Sequence, residues 1–226
     1  MVSVIIPARN EQARIGATIR AVSAIPQVQE IIVVDDGSHD NTAVQAAEAG
    51  AVVVPMRRSM GKGQALQKGL EASHGDVLLL LDADLGETAI HAEHLLAPVL
   101  NDQADMAIAR FPAGGTSGGG FGFVVRLARW GIRRATGRTM ESPLSGQRAL
   151  LRKVWLDTGP IQPGFGAEVG LTIKALKSGF RVVEIPVPMS HRVTGRDVAS
   201  ILHRAKQFWH VARTLLYLEV CRRSST

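Results

Sequence analysis

Short runs of apolar, mostly β-branched residues recur at regular intervals through the first half of the chain. Such runs, bounded by polar or turn-forming residues, are typical of buried strands. The predicted strands are Val2–Ile6, Glu30–Val34, Ala51–Pro55, Asp76–Leu81 and Met106–Ala109. The fourth run is apolar at every position after its first residue, which predicts a central strand that is covered on both faces.

The segments between these strands carry apolar residues at helical spacing, for example Ile15, Ile19 and Val22. The predicted helices are Glu11–Ala24, Asn41–Ala49 with Asp40 as its N-cap, Gly63–Ser73 and Thr88–Leu100. Strands that alternate with helices predict an α/β fold, with a mostly parallel sheet flanked by helices.

The second half of the chain has a less regular pattern. The elements predicted there are a glycine-rich stretch at 113–122, a basic amphipathic helix at Phe123–Ala135, a turn-rich stretch at 142–146, a helix at Val169–Lys177, a strand at Arg181–Ile185 and a long C-terminal amphipathic helix at Val198–Cys221. No linker separates these elements, so we expect a single domain over residues 1–226.

Composition and charge narrow the classes of partner. The net charge is +6, and the arginines gather in the second half of the chain, which favours phosphate-bearing ligands, an anionic membrane face or nucleic acid. Aromatic residues make up only 4% of the chain, which argues against a surface that stacks on nucleic-acid bases.

The single cysteine, Cys221, excludes an internal disulfide framework and a cysteine-based zinc site. A cytoplasmic location is the expectation that follows. The N-terminal residues enter a strand pattern directly, without the regions of a signal peptide. The longest apolar run, Val77–Leu81, is far too short to cross a bilayer.

Polar clusters follow three of the predicted strands. Residues 7–11 follow the first strand, residues 35–38 follow the second, and residues 82–84 follow the fourth. In open α/β sheets, ligands bind beyond the carboxyl ends of the strands. We therefore expect the three clusters to form one site.

Asp82 and Asp84 are separated by a single residue. Two such carboxylates converge on one hard cation where the chain turns, and Mg²⁺ or Mn²⁺ takes oxygen ligands of this kind together with a diphosphate. The cation would neutralise charge on a diphosphate leaving group. A solvated loop or a helix cap is the alternative, because this spacing is common by itself.

The segment Asp35-Asp36-Gly37-Ser38 is open to two interpretations. Its residue types all favour an ordinary turn. At a strand end, one carboxylate would instead accept a hydrogen bond from a nucleoside base or a ribose hydroxyl.

Four motifs occur in a fixed order: IPARNE at 6–11, VVDDGSHDNT at 33–42, GKGQA at 61–65 and LDAD at 81–84. Together they resemble the signature of family 2 glycosyltransferases of the GT-A fold, over about the first 110 residues. The resemblance implies a Rossmann-like GT-A domain, in which residues 1–110 bind a nucleotide sugar and residues 111–226 bind an acceptor.

The resemblance also implies roles for the motif residues. The donor nucleotide would be bound by Pro7, Ala8, Arg9, Glu11, Asp36, Gly37, Lys62, Asp82 and Ala83. Lys62 would lie near the donor base or phosphates. Asp84 would ligate Mg²⁺ or Mn²⁺, and Asp82 would contact the ribose or the metal.

The second half extends the resemblance. Ser145-Gly146-Gln147-Arg148 is similar to the acceptor-side Ser-Gly-Phe-Arg element of dolichol-phosphate mannose synthases, with Gln147 in place of the aromatic residue. Residues 144–146 and 164–170 also resemble glucosyl-3-phosphoglycerate synthases. An acidic residue at the position of Glu168 faces the sugar and acceptor in both groups, which implies a catalytic or acceptor-orienting role. The alternative is a glutamate that stabilises a helix N-terminus.

A basic loop at 191–196 follows the last predicted strand. In the phosphoglycerate relatives a histidine here ligates the metal and a nearby arginine binds phosphate. The resemblance therefore implies His191 as a metal ligand, and Arg192 and Arg196 as phosphate-binding residues. Imidazole and guanidinium suit these roles, although a lone histidine is more often structural.

The expected function is metal-dependent transfer of a sugar from a UDP- or GDP-sugar to a polyprenyl phosphate or another phosphorylated acceptor. A soluble retaining transferase that acts on a small phosphorylated acid such as phosphoglycerate is the alternative. A sugar nucleotidylyltransferase would carry an early glycine-rich loop, which is absent near Pro7. A basic module that binds membrane or nucleic acid would explain the charge but not the three acidic strand ends.

The two basic amphipathic helices, Phe123–Ala135 and Val198–Cys221, raise a further expectation. Basic helices that carry Trp and Phe bind at lipid interfaces, which predicts peripheral contact with the cytoplasmic face of a membrane. The alternative is a core-packed helix with a solvated basic face. No nucleic-acid partner is expected, and a homodimer is compatible with the sequence.

Overall fold

The structure is a computed structural model and describes residues 1–111, 121–161 and 166–189. In this part of the chain, the strands are β1 (Val2–Ala8), β2 (Val28–Asp35), β3 (Val52–Pro55), β4 (Val77–Leu80), β5 (Met106–Arg110), β6 (Arg148–Leu151) and β7 (Val182–Pro186). The α-helices are α1 (Ile15–Ser23), α2 (Thr42–Glu48), α3 (Lys62–Ala72), α4 (Glu93–Leu100), α5 (Phe121–Thr136), α6 (Arg152–Thr158) and α7 (Gly166–Lys177), and a 3₁₀ helix spans Gly86–Ala92.

These strands form one sheet in the order β3-β2-β1-β4-β6-β5-β7. All neighbours are parallel except β6, which runs antiparallel to both β4 and β5. The predicted α/β fold with a mostly parallel sheet is therefore confirmed. In chain order, β2 and β3 lie on one side of β1, and β4 then lies on its other side. A switch point of this kind is where open α/β sheets bind ligands.

Alternate side chains of the central strands pack on opposite faces of the sheet. Val4 and Ile6 belong to the core that includes the buried residues of α1 and α4, whereas Ile5 belongs to the core that includes those of α5 and α7. All four residues of β4 are buried, as predicted for a central strand. Gly69 lets α3 lie close to β1, because a Cβ there would come within 2.4 Å of Ile5 Cγ2.

Pro7 lies inside β1, although the sequence predicted a strand that ends at Ile6. The N–H of Leu81 donates to the carbonyl of Ile5, and the N–H of Asp36 donates to the carbonyl of Ala8. Odd-numbered residues of β1 therefore point their backbone groups toward β4. β4 pairs with β1 only as far as Ile5, so position 7 is beyond the paired residues. The missing N–H of Pro7 therefore costs no hydrogen bond between these strands.

The first helix begins at Ile15 rather than at the predicted Glu11. The carbonyl of Glu11 accepts hydrogen bonds from the N–H groups of Arg14 and Ile15, whereas its own N–H donates to Thr42 Oγ1. The preceding loop is thus held by its neighbour at the next strand end. Residues 12–14 form a turn before α1, and the contact between Glu11 and Thr42 fixes where this turn begins.

The strand β6 and the helix α6 were not predicted. β6 is only four residues long, and its first residue is an arginine that is 1% exposed. A run this short carries no recognisable periodicity. An arginine at its start also favours a loop in a sequence-based prediction, because arginines are usually exposed. The predicted helix over 88–100 is also divided, since its first part is the 3₁₀ helix.

The helix α5 packs Val124, Ala128 and Ile132 into the core and leaves Trp130 59% exposed. Among the described residues, no helix is both long enough and apolar enough to span a bilayer. Membrane-surface contact stays a prediction. The predicted C-terminal helix at 198–221 lies outside the described residues, so the single-domain assignment over 1–226 is also untested.

At the end of the sheet opposite the polar clusters, Glu30 forms a small network. Its carboxylate accepts hydrogen bonds from Ser3 Oγ and from the backbone N–H of His74 (3.0 Å), and His74 Nδ1 lies 2.8 Å from it. Burial raises the pKa of this carboxyl, but the hydrogen bonds from Ser3 and His74 outweigh burial. The pKa of Glu30 therefore lies below its ordinary value.

A depressed carboxyl pKa stabilises the fold above the pKa of the unfolded chain, and the stabilisation is lost as the pH falls through the folded pKa. We expect Glu30→Gln to reduce the free energy of unfolding by about 1 kcal/mol at pH 7, a loss of about 3 °C in Tm. The loss should shrink toward pH 3. Thermal melts at both pH values test this, with the exposed Glu71→Gln as the control. An equal loss at both pH values would rule out the ionised network.

Candidate active site

The loops that follow β1 and β2 are joined by reciprocal hydrogen bonds. The N–H of Asn10 donates to Ser38 Oγ at 3.0 Å, and the N–H of His39 donates to Asn10 Oδ1 at 2.9 Å. Asn10 has a φ of 55°, a left-handed conformation that asparagine tolerates better than most residues. The predicted donor residues 7–11 therefore lie beside the loop of Asp36 at the carboxyl edge of the sheet.

Asp36 is buried and organises the segment that leads into α3. Its carboxylate accepts hydrogen bonds from Ser59 Oγ (2.8 Å) and from the N–H groups of Met60 (2.7 Å) and Gly61 (2.9 Å). The next residue in the chain is Lys62. Asp36 thus fixes the backbone of the segment that leads to Lys62.

Gly37 and Arg9 contact the same segment. Gly37 has a φ of +67°, and a Cβ there would lie 2.9 Å from the backbone nitrogen of Ser59. Arg9 Nη1 donates to Ser59 Oγ at 2.9 Å. The predicted donor residues of the first two strand ends therefore converge on one segment that sits directly before α3.

Lys62 stands at the start of α3 and joins two carboxylates. Its Nζ lies 2.7 Å from Asp82 Oδ1 and 3.0 Å from Glu168 Oε1. The side chain of Glu168 is 7% exposed, against 28% for Lys62. Burial lowers the pKa of Lys62, but the charges of Asp82 and Glu168 outweigh it and raise the pKa above its ordinary value. Lys62 is therefore a fixed cation that connects the predicted donor half to the predicted acceptor half.

The loop before β6 closes over this ion pair. Gln147 is fully buried and donates from Nε2 to Asp82 Oδ2 at 2.7 Å. A Cβ on Gly146 would lie 2.4 Å from Lys62 Nζ and 3.1 Å from each carboxylate oxygen of Asp82. Ser145 Oγ contacts Gln147 Oε1 at 3.3 Å. Gly146 and Gln147 therefore lie against Asp82, Ser145 contacts Gln147, and only glycine fits at position 146 without displacing Lys62.

The fourth predicted acceptor residue, Arg148, lies behind this loop. Its buried guanidinium donates to the carbonyl of Ser145 (2.9 Å), to Thr172 Oγ1 (2.8 Å) and to the carbonyl of Pro143 (3.4 Å). Burial lowers the pKa of Arg148 to about 10. The guanidinium contacts the backbone of the loop and the side chain of Thr172 on the helix α7.

The backbone around Asp84 is fixed by α1. Thr18 Oγ1 donates to the carbonyl of Ala83 at 2.9 Å and accepts the N–H of Gly86 at 2.8 Å. Arg14 Nη1 donates to the carbonyl of Asp84 at 3.1 Å. The turn that follows β4 is thereby held against the helix, and the Asp84 side chain is half-buried.

The aspartates of this turn suit a hard cation. Magnesium sites often use one or two carboxylates, waters and substrate phosphates, so the turn supplies the oxygen ligands that such a site takes from protein. Asp82 also contacts Lys62 and Gln147. In the part of the chain that the structure describes, no three His, Cys, Asp or Glu residues cluster as a metal site. His191, Arg192 and Arg196 lie outside the described residues.

Two threonines that support the site were not identified from the sequence. Thr18 lies on the buried face of α1, beside Ile15 and Ile19, and Thr172 lies one helical turn after Glu168. In the sequence, Thr18 is marked by its place beside Ile15 and Ile19, on a helix face whose other residues are apolar. Thr172 carries no comparable signal, because its partner Arg148 is distant in sequence.

Comparisons with known proteins place the chain in a family. Residues 3–157 match the sequence model of the family described as Glycosyl transferase family 2. The glucosyl-3-phosphoglycerate synthase of Mycolicibacterium paratuberculosis is 33% identical over 195 residues, which cover 76% of this chain and 59% of that protein. The undecaprenyl-phosphate 4-deoxy-4-formamido-L-arabinose transferase of Pseudomonas fluorescens is 34% identical over 159 residues, 62% of this chain and 43% of that protein.

A solved structure extends the similarity to three dimensions. Glucosyl-3-phosphoglycerate synthase from Mycobacterium tuberculosis, in complex with Mn²⁺, UDP-glucose and phosphoglyceric acid, superposes with a TM-score of 0.79 at 28% identity. The superposition covers 96% of this chain and 79% of that one, and confirms the GT-A fold. In sequence, the chain spans less than two thirds of the length of the mycobacterial synthases that it matches.

Proposed function

Because the chain belongs to glycosyl transferase family 2, we propose that it transfers a sugar from a uridine diphosphate sugar to a phosphorylated acceptor in a metal-dependent reaction. The observation that carries the proposal is the ion-pair chain in which Lys62 joins Asp82 to Glu168, at the switch point of the sheet. The ligands of the similar mycobacterial structure, which are Mn²⁺, UDP-glucose and phosphoglyceric acid, support the choice of donor and acceptor.

On the donor side, the nucleoside binds beside the loops that follow β1 and β2. Pro7, Ala8, Arg9, Glu11, Asp36 and Gly37 form this part of the site, with Asp82 and Ala83 at its inner end. Lys62 lies near the donor phosphates, and its charge offsets part of the negative charge of Asp82 and Glu168 beside them. Its two carboxylate partners hold the ammonium in place, so little reorganisation accompanies binding.

Asp84 and Asp82 hold Mg²⁺ or Mn²⁺, together with His191 beyond the described residues. The cation, when bound, neutralises the charge that develops on the departing diphosphate. Arg192 and Arg196 are assigned to phosphate. The backbone contacts from Thr18 and Arg14 keep the Asp84 turn from moving as charge shifts between substrate and leaving group.

On the acceptor side, Glu168 is the catalytic carboxylate. It lies beside Lys62, so the acceptor hydroxyl that it binds approaches the same point as the donor. A carboxylate there accepts a hydrogen bond from the hydroxyl and orients it toward the sugar. Ser145, Gly146 and Gln147 form the wall over Asp82, and Arg148 stands behind them.

A polyprenyl phosphate is the second candidate acceptor. It is favoured by the similarity to the undecaprenyl-phosphate transferase and by the exposed Trp130 of α5, a helix with four arginines and no acidic residue. Such an acceptor would place the protein at the cytoplasmic face of a membrane, as a monomer or a homodimer.

One screen separates the two acceptors. The protein is incubated with UDP- and GDP-sugars and Mn²⁺, with phosphoglycerate or a short-chain polyprenyl phosphate, and nucleotide release and product mass are measured. We expect a UDP-sugar to be consumed and phosphoglycerate to become glycosylated. Glycosylation of the polyprenyl phosphate alone would select the second candidate. No nucleotide release from any donor would contradict the proposed function.

Gly146→Ala tests the close packing over the ion pair. The added methyl group would meet Lys62 Nζ at 2.4 Å, so the ammonium must move away from Asp82. We expect turnover to fall about 10- to 100-fold, with Tm reduced by only a few degrees. Gly122→Ala on α5 is the matched control, because a Cβ there meets nothing within 4 Å. Equal turnover in both variants would show that the position of Lys62 is unimportant.

A further inference from the structure

We propose that Arg148 is a positioning residue, whose guanidinium fixes the 143–147 loop and the first turns of α7 in one arrangement. Through the loop it aligns Gln147 with Asp82, and through α7 it aligns Glu168 with Lys62. The inference rests on the proposed function of the ion-pair site. It assigns to Arg148 a role that requires no contact with either substrate.

The backbone of Arg148 is anchored in the centre of the sheet. It pairs with Leu80 of β4 on one side and with Ile108 of β5 on the other. From this position the guanidinium reaches back over its own loop, donating from Nε to the carbonyl of Ser145 at 2.9 Å and from Nη2 to that of Pro143 at 3.4 Å. The loop that carries Gln147 is therefore tied to the interior of the sheet.

The same guanidinium reaches α7. Nη1 donates to Thr172 Oγ1 at 2.8 Å, and that hydroxyl donates to the carbonyl of Glu168 at 2.8 Å. One side chain thus contacts both segments that carry partners of the Asp82–Lys62 pair. Lys62 and Asp82 together link the two segments, through Glu168 and Gln147, and Arg148 provides a second link between them.

Stability alone does not account for this residue. Arg148 is 1% exposed, and among the described residues its hydrogen bonds go to two carbonyls and a hydroxyl, with no ion pair. The carboxylates of Glu168 and Glu184 attract the guanidinium from beyond ion-pair distance, and burying a charge without a direct partner is costly. The three hydrogen bonds therefore point to the geometry of the loop and of α7 as the feature that depends on the arginine.

Glu184 of β7 holds the other end of the same segment. Its carboxylate accepts the N–H of Glu141 at 2.7 Å and the N–H of Ser142 at 2.6 Å. Arg110 Nη1 pairs with the side chain of Glu141 at 2.7 Å. With the start of the loop fixed by Glu184, the contacts of Arg148 decide where residues 145–147 lie.

Arg152 offers a matched control at the opposite end of the four-residue strand β6. It also donates to a backbone carbonyl, that of Gly75, at 2.6 Å, and to Ser73 Oγ at 2.9 Å. These contacts lie near the start of β4, whereas Arg148 pairs with its last residue. A variant of Arg152 therefore removes a similar arginine clamp without touching the site.

The test compares Arg148→Met, Arg148→Lys and Thr172→Val with Arg152→Met. We expect Arg148→Met to lower kcat at least about 10-fold, since small misplacements of catalytic groups are costly, while the Kd for UDP with Mn²⁺ changes less than about 2-fold. Arg148→Lys should recover part of the loss, and Thr172→Val should lower kcat with the arginine intact. If Arg152→Met lowers kcat as much as Arg148→Met, the inference is overturned.

Hydrogen exchange provides a readout that does not depend on activity. We expect peptides covering 142–147 and 166–172 to exchange faster in Arg148→Met and in Thr172→Val than in Arg152→Met. Unchanged exchange in both segments would overturn the inference, even if activity fell. A wild-type protein that consumes no nucleotide sugar would refute the proposed function, while the exchange data would still decide whether Arg148 positions the two segments.

Discussion

Asp84→Asn is expected to lower the turnover of the UDP-sugar about 10³-fold, which corresponds to about 4 kcal/mol of transition-state stabilisation. Asparagine keeps the shape of the side chain but removes the charge that binds a divalent cation. The backbone contacts of the turn, from Thr18 and Arg14, use carbonyl groups and survive the change. We therefore expect the Tm of the variant without ligand to stay within about 2 °C of the wild type.

Thermal melts with UDP and Mn²⁺ separate a metal ligand from a structural aspartate. UDP with Mn²⁺ should raise the Tm of the wild-type protein, and it should not raise the Tm of Asp84→Asn. Asp157→Asn, an exposed position on α6, is the control and should retain it. A retained gain in Asp84→Asn would place the metal elsewhere.

Glu168→Gln is expected to separate catalysis from donor binding. We expect kcat to fall about 10²- to 10³-fold, since glutamine lacks the charged carboxylate that accepts the hydrogen bond from the acceptor hydroxyl. Lys62 keeps its ion pair with Asp82 in this variant, so the Kd for UDP with Mn²⁺ should change little. Steady-state kinetics combined with calorimetric titration of UDP measure the two effects.

The control for Glu168 addresses its alternative role as a helix-end glutamate. Glu168 stands in the first turn of α7, and Glu93 stands in the first turn of α4. Glu93→Gln should leave kcat unchanged and cost a few tenths of a kcal/mol in stability. If Glu168→Gln behaves in the same way, the glutamate serves the helix end and not the reaction.

The fold was predictable where local pattern and burial agree. The unbroken apolar run at 77–81 predicted a strand covered on both faces, and β4 lies in the sheet between β1 and β6. Alternation of strands and helices predicted the parallel core in the same way. In both cases the residues that define the pattern are the residues that pack.

The antiparallel insertion of β6 was not predictable by the same reasoning. Its register is set by pairing with residues of β4 and β5 that lie at least forty positions earlier in the chain than their partners. A four-residue strand that begins with an arginine has no local signature. The start of α1 was displaced for a similar reason, because the contact between Glu11 and Thr42 is tertiary.

The position of the candidate site in the fold was predictable from the sequence, but its network of ion pairs and hydrogen bonds was not. Three polar strand ends located it at the carboxyl edge of the sheet, and the structure places Asp36 and Asp82 there. The chain Asp82–Lys62–Glu168 joins three segments far apart in sequence, so no spacing rule reveals it. Arg148 shows the same limit, since the resemblance implied an acceptor-binding residue and gave no sign of its buried hydrogen bonds to Ser145 and Thr172.

A crystal structure of the protein with UDP and Mn²⁺ tests the central claim most directly, because the anomalous signal of manganese locates the metal independently of the protein atoms. We expect the peak about 2 Å from a carboxylate oxygen of Asp84, with the diphosphate between the metal and Lys62. A manganese peak or a nucleotide bound away from the Asp84 turn would contradict the account.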